Sequence, residues 1–243
     1  MLQKTRGIVL HRIKYSDSSV IVYIYTEKSG RQAFLVRGAR RKKSHIKINL
    51  FQPLYALDLE IYFNPKRELQ SIKEYNIIIP FISIPYNIQK STLALFLGEM
   101  LYRFLLEEET NKPLFEYLLN SIRYLDITEK NISNFHLLFL IQLTKYLGFN
   151  PNDNFSERTP VLDLKNGIFV QTIPNHTNYL NLKESRLFNN FQNTSYEKIN
   201  LLKLSSASRT SLLTGIIEFY KLHQPFLGEI KSFQIMREVF HQE

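Results

Sequence analysis

The period of the apolar residues changes once along this chain, near Tyr75, and that change restricts the folds open to it. Before it, apolar residues alternate or form short β-branched runs separated by turn residues. Gly7-Ile8-Val9-Leu10-His11-Arg12-Ile13 ends at Ser16-Asp17-Ser18, and Val20-Ile21-Val22-Tyr23-Ile24-Tyr25 ends at Glu27-Lys28-Ser29-Gly30. Arg31 to Val36 gives a third strand, Leu54 to Tyr62 a fourth, and roughly Leu69 to Tyr75 a fifth, entered through Asn64-Pro65-Lys66. β-branched and aromatic runs bounded by such turns read as strands, with Gly30 placed for a hairpin.

After Tyr75 the spacing is helical. Pro80 and Ile84-Pro85 punctuate a connector, and then Leu93, Leu97, Met100, Leu101, Phe104 and Leu105 recur along one face. Phe115, Leu118, Leu119 and Ile122 mark a second helix opened by Pro113. Phe135 to Tyr146 marks a third, stopped at Gly148. Residues 150–177 contain Pro151, Pro160 and Pro174 and read as loop, followed by helices around Leu212–Tyr220 and Phe233–Phe240. Five short strands suit a small closed barrel such as an OB-fold. The expected class is α+β: a β-barrel domain over 1–80, then a helical domain over 81–243 with a loop-rich insertion near 150–177.

Charge follows the same division. Residues 1–80 hold 15 Lys/Arg against 6 Asp/Glu, which is the whole formal net charge of +9, while residues 81–243 balance. The focus is Arg37-Gly38-Ala39-Arg40-Arg41-Lys42-Lys43-Ser44-His45-Ile46-Lys47, six cations in eleven residues with no acid. A neutral body with a basic, strand-rich head points to a polyanion held by one domain. Arg37, Arg40, Arg41, Lys42 and Lys43 are the expected phosphate contacts, with Arg12, Lys14, Arg31 and Lys47 extending the track. Tyr15, Tyr23, Tyr25 and Phe34 lie among them, and rings in such a setting stack on unpaired bases when packing leaves them free. In the second strand Val20, Val22 and Ile24 share one face, the expected core, and Ile21, Tyr23 and Tyr25 the other.

The chain has 243 residues and no Cys, which excludes disulfides and thiolate metal sites. No apolar run approaches the roughly 18 residues of a membrane span, and the N-terminus leads straight into a strand pattern without a signal-peptide core. A soluble cytoplasmic protein is expected. The 6 His are scattered, without HExxH spacing, and neither a GxxxxGK[ST] loop nor a GxSxG elbow occurs. The expectation is a protein that is not an enzyme, with no metal and no cofactor.

The order of segments resembles one family. Gly7-Ile8-Val9-Leu10 leads to Tyr15-Ser16-Asp17-Ser18-Ser19, then Tyr25-Thr26-Glu27-Lys28-Ser29-Gly30, Arg37-Gly38-Ala39-Arg40-Arg41-Lys42 and Leu50-Phe51-Gln52-Pro53-Leu54. Glu99-Met100-Leu101, Tyr146-Leu147-Gly148-Phe149 and Gly228-Glu229-Ile230-Lys231-Ser232 continue the likeness through the body. Together they resemble RecO, the bacterial recombinational-repair mediators. The resemblance implies an OB-fold head and helical body, binding of single- and double-stranded DNA, and annealing of complementary strands. It implies RecR as partner, contact with the acidic, Phe-ended tail of SSB, indirect service to RecA, and a place at the bacterial nucleoid.

Two departures stand out. Some RecO proteins carry a Cys-rich zinc element in the second half, whereas the matching stretch here, Pro151 to Thr172, must be held by turns and packing. Some also have basic residues leading into the third body helix, where this chain has Ser133-Asn134-Phe135, so that tail pocket does not carry over. From helical phase alone, apolar anchors beside a cation for a protein tail are expected around Leu97, Leu101, Tyr117 and Arg123. Three alternatives stay open: an RNA- or ribosome-associated OB-fold protein, a helical adaptor for which the barrel is incidental, and a hydrolase.

Overall fold

A computed structural model of the protein describes residues 1–38, 48–106, 109–129, 132–224 and 228–241. Its first element, β1 (Leu2–Lys14), serves two partners. The first half pairs antiparallel with β4 (Ala56–Tyr62), and the second half pairs antiparallel with β2 (Val20–Thr26). The two ladders overlap at Gly7 and Ile8. A Cβ on Gly7 would lie 2.6 Å from Ile24 Cγ2 and 2.8 Å from Leu59 Cδ1, so β1 crosses between its partners where it carries no side chain. A bulge between Val9 and His11 adds the local bend. Periodicity gives no sign of the stretch Leu2–Arg6, which is polar and is strand because β4 pairs with it.

β3 (Gly30–Val36) returns from β2 through a hairpin whose Gly30 has φ +57°. β5 (Leu69–Ile77) runs antiparallel to β4 and touches β3 in parallel only through Ala33–Leu69 and Phe34–Gln70. The barrel closes in the order β1-β2-β3-β5-β4. Val9, Val20, Val22, Ile24, Phe34, Val36, Phe51, Leu57, Leu59 and Ile61 fill its interior. The aliphatic face of β2 is therefore the core face, and Phe34, fully buried, is core as well.

α1 (Ile88–Phe104) begins at Asn87, whose side chain accepts from Gln89 N and Lys90 N. α2 (Lys112–Ile127) follows. The carboxylate of Asp126 holds the connector ahead of α1, accepting from the N–H groups of Ile82, Ser83 and Ile84 at 2.9 Å each. The buried Lys90 ammonium donates to Ser83 Oγ (2.6 Å) and Asp126 O (2.8 Å). By compactness, the chain divides into residues 1–126 with 227–233, and 127–226 with 234–243. The change of period marks a change of secondary structure at 80; compactness groups α1 and α2 with the barrel.

The second unit is built on α3 (Phe135–Tyr146), nearly all of whose residues are buried, with α5 (Ser206–His223) beside it. Tyr220 Oη donates to Leu140 O at 2.7 Å in the core. Three elements, two strands and a helix, are absent from the periodicity reading. A short hairpin, β6 (Val161–Asp163) and β7 (Ile168–Val170), lies inside the loop-rich stretch. α4 (Leu182–Gln192) buries Phe188 and Phe191, and Asn181 and Glu184 form a full capping box that marks its start. The turn of the hairpin is held by Asp163, whose carboxylate accepts from Lys165 N (2.9 Å), Asn166 N (3.1 Å) and Asn166 Nδ2 (2.7 Å). α6 (Ser232–His241) is the last element, and no described helix is long and apolar enough to cross a membrane.

Candidate nucleic-acid interface

Strand register gathers part of the basic track at one end of the barrel. Lys14 pairs with Val20 and Val20 with Val36, so the three form one row across β1, β2 and β3. Arg37 follows Val36 directly, and Gly38 turns the chain away with φ +72°. Arg12 lies two residues inside this end, opposite Val22, and its Nη1 donates to Ile48 O at 3.1 Å. Ile48 opens the 3-10 turn Ile48–Leu50. The two described flanks of the basic run are thus Arg37-Gly38 and the turn at Ile48 that Arg12 clamps. Arg40, Arg41, Lys42, Lys43 and Lys47 lie outside the described residues. Arg37 is exposed, and Lys14, also exposed, lies 3.5 Å from Asp17.

Arg31 is elsewhere. It pairs with Tyr25, itself opposite Ile8, toward the other end of the strands. Its Nη1 donates to Tyr102 O at 3.0 Å, and its guanidinium lies 5.6 Å from the Tyr102 ring and 5.8 Å from the Tyr23 ring. His11 stacks on Tyr102 at 4.6 Å, Tyr23 meets it at 4.7 Å, and Tyr25 packs against Phe115 of α2 at 6.4 Å. Burial pushes the His11 pKa below the ordinary histidine range. The ring-bearing face of β2 is therefore covered by α1 and α2, which engage Tyr23, Tyr25 and Arg31. Of the four rings singled out in the sequence, only Tyr15 is exposed. Arg6 is also engaged, bonded to Glu27 at 2.8 Å and to Glu116.

Acids occupy another side. Asp58, Glu60 and Glu74 line a cleft over β4 and β5 with Lys4, and Glu60 faces Glu74 directly across the ladder. Like charges so placed repel; Lys4, opposite Glu60 on β1, and Lys73 Nζ, 3.3 Å from Glu60, offset them. This cleft thus carries carboxylates of β4 and β5 with two lysines beside them, whereas Lys14 and Arg37 stand at the end of β1 and β3.

At that same end the seam between β3 and β5 is short. Pairing between β3 and β5 stops at Phe34–Gln70, and beyond it Leu35-Val36-Arg37 and Ser71-Ile72-Lys73 flank a cavity of about 210 Å³. In the β4–β5 ladder Glu60 faces Glu74 and Ile61 faces Ile72, which leaves Lys73 as the extra residue of a bulge. The bulge turns both Ile72 and Tyr75 onto the barrel core while Lys73 stays outside. Sequence reasoning missed Lys73 and Tyr75, because strict alternation hides a bulge; the basic residue in the fifth strand was the one available signal.

The anchors expected for a protein tail do not form a surface. Leu97 and Leu101 are buried and Tyr117 is 8% exposed, leaving only Arg123 open to solvent. The helical phase that selected them selects inward-facing residues, and this phase points into the unit's own core. A cleft of about 640 Å³ between the 49–55 turn and α1 is lined by Asn49, Gln52, Pro53, Tyr55, Ile88 and Leu95 among others, with no carboxylate, imidazole or cation among the described residues that line it. His136 is wholly buried on α3, and burial, aided by the charge of Arg209, drives its pKa down to about 3. Among the described residues no group of three or more His, Asp or Glu is placed to hold a metal ion.

Comparison with known proteins adds the following. The family "Recombination protein O N terminal" matches residues 1–81, and "Recombination protein O C terminal" matches residues 85–226. The chain is 41% identical to the DNA repair protein RecO of Phocaeicola vulgatus over 240 residues, covering 99% of this chain and 100% of that protein. It is 42% identical to that of Bacteroides fragilis over 241 residues, with the same coverage. It is 30% identical to that of Porphyromonas gingivalis over 244 residues, again covering 99% and 100%.

Proposed function

The chain belongs to the RecO family of DNA repair proteins, and from that premise we propose that it is a recombination mediator that holds DNA at the basic end of its barrel. It binds single and double strands, anneals complementary strands and, with RecR, helps to load RecA onto SSB-coated single strands. The domain that grips DNA is residues 1–80. The observation that supports this reading is the convergence, at one barrel end, of Lys14, Arg37 and both flanks of the run that holds Arg40, Arg41, Lys42, Lys43 and Lys47.

The mechanism needs no covalent step. Two strands approaching each other repel through their phosphates. Lys and Arg bound to those phosphates displace condensed counterions and lower the repulsion, and base pairing supplies the free energy. Arg12 contributes by fixing the turn at Ile48, where the run ends, more than by its own charge. Arg31 holds α1 to the barrel and stands outside the track.

The test is annealing of complementary oligonucleotides, bare and coated with the cognate SSB, by the wild-type chain and by a variant with Arg40, Arg41, Lys42 and Lys43 all changed to Gln. Acceleration by the wild type that is lost in the folded variant is the expected result. A wild type that accelerates neither reaction overturns the mediator reading. A matched RNA strand that outcompetes DNA turns the assignment toward RNA.

A further inference from the structure

We propose that the cavity between β3 and β5 is a slot for one unpaired nucleobase. This rests on the reading of the barrel end as a nucleic-acid grip and adds to it a means of recognising single strands. A strand held only through phosphates is held alike whether its bases are paired or free. A slot that takes a base admits only a strand whose base is free to turn out of its stack.

Three features carry the proposal. The first is size: the cavity of roughly 210 Å³ is large enough for a single base and lies just beyond Phe34–Gln70, where the β3–β5 ladder ends. The second is the chemistry of its walls. The half-buried Ile72 and Tyr75 present apolar and aromatic surface there, backed by the buried Val36 and Phe51, with Tyr75 braced against Phe51 at 5.0 Å. Tyr75 owes its inward direction to the bulge at Lys73. The third is charge. Arg37 from β3's end and Lys73 from β5 both line the cavity, on opposite sides of the seam. Lys73 is also bonded to Glu60 (3.3 Å), so Arg37 is the stronger anion partner of the two. A cavity lined by apolar and aromatic groups together with cations matches a nucleotide, whose base is planar and whose phosphate is charged. A neutral apolar peptide would offer Arg37 no anion.

The experiment compares binding of a single-stranded oligodeoxynucleotide with that of an abasic strand of equal length and charge. Wild type is expected to prefer the base-bearing strand by about tenfold or more, the effect of one stacked base. Ser71→Tyr, which fills the slot from its rim, is expected to abolish that preference, with thermal unfolding used to show that the variant is folded. Tyr86→Ala removes an exposed ring outside the slot (84% exposed) and is expected to keep it. An oligonucleotide bearing 2-aminopurine gives an independent reading: its emission should change on binding wild type as a single strand and stay unchanged in duplex. Equal binding of base-bearing and abasic strands by wild type overturns the slot and leaves the phosphate grip standing. A preference that survives Ser71→Tyr, or disappears in Tyr86→Ala, also overturns it. Failure to bind either strand overturns the grip itself.

Discussion

The Glu99 carboxylate, on α1, accepts hydrogen bonds from the backbone N–H of Ser232 at 2.8 Å, from the Ser232 hydroxyl, and from Lys231 N at 3.1 Å. Ser232 lies 133 residues further along the chain and opens α6. The first N–H groups of a helix have no partners within it, and a carboxylate there satisfies them and faces the positive end of the helix dipole. Glu99-Met100-Leu101 and Gly228–Ser232, two segments that carried the likeness to RecO, are thus the two halves of one clasp.

Removing that carboxylate leaves half-buried donors without an acceptor. Glu99→Ala is expected to destabilise the protein by about 1–3 kcal/mol, seen as a lower urea midpoint. A midpoint equal to wild type means that the clasp contributes nothing to folding.

Acid should loosen the same unit. Burial pushes the carboxyls of Glu99 and Asp126 up, but hydrogen bonds outweigh it: from Ser232 and Lys231 for Glu99, and from the N–H groups of Ile82, Ile84 and Ser83 for Asp126. Both sit below the ordinary carboxylate range. A carboxyl whose folded pKa is depressed adds stability above its unfolded value, about 4. That stability is lost as pH falls through the unfolded value toward the folded one. Urea midpoints should be flat near neutrality and drop below about pH 4.5, and Asp126→Asn should flatten the drop. An acid limb of unchanged slope in Asp126→Asn contradicts this.

Arg31 and Arg37 should separate cleanly. Arg37→Gln removes one exposed phosphate partner and should lower the slope of log K against log salt on single strands by about 0.7, with unfolding unchanged. Arg31→Gln loses its bond to Tyr102 O and its place over two rings, so it should destabilise by about 1–3 kcal/mol and keep the slope. The reverse pattern would mean that the covered face of β2 opens to bind nucleic acid.

Gly98 fixes how closely α1 approaches the barrel. A Cβ there would lie 2.7 Å from Pro53 Cβ and 2.9 Å from Leu10 O, the latter backbone that cannot turn aside. Gly98→Ala is expected to cost about 1–3 kcal/mol, measured by thermal or urea unfolding. A neutral substitution would show that α1 can shift without loss.

Much of this protein is set locally. Short β-branched runs between Gly, Asn-Pro and Ser-Asp turns made the five strands legible, and a 3.6-residue apolar recurrence did the same for α1, α2, α3 and α5, because both patterns report which faces of an element avoid water. The concentration of cations before residue 80 is likewise a property of the sequence alone. What covers each face was decided by pairings between distant segments. Strand register put Lys14 and Arg37 at one end and Arg31 under α1, the helices took Tyr23 and Tyr25, and a one-residue bulge turned Tyr75 inward beside the short seam. Leu97 and Leu101, chosen by phase as anchors for a partner, became core for the same reason. Periodicity states that a face is buried; only the tertiary contacts supply the surface that buries it, and with it which charges and rings remain open to a ligand.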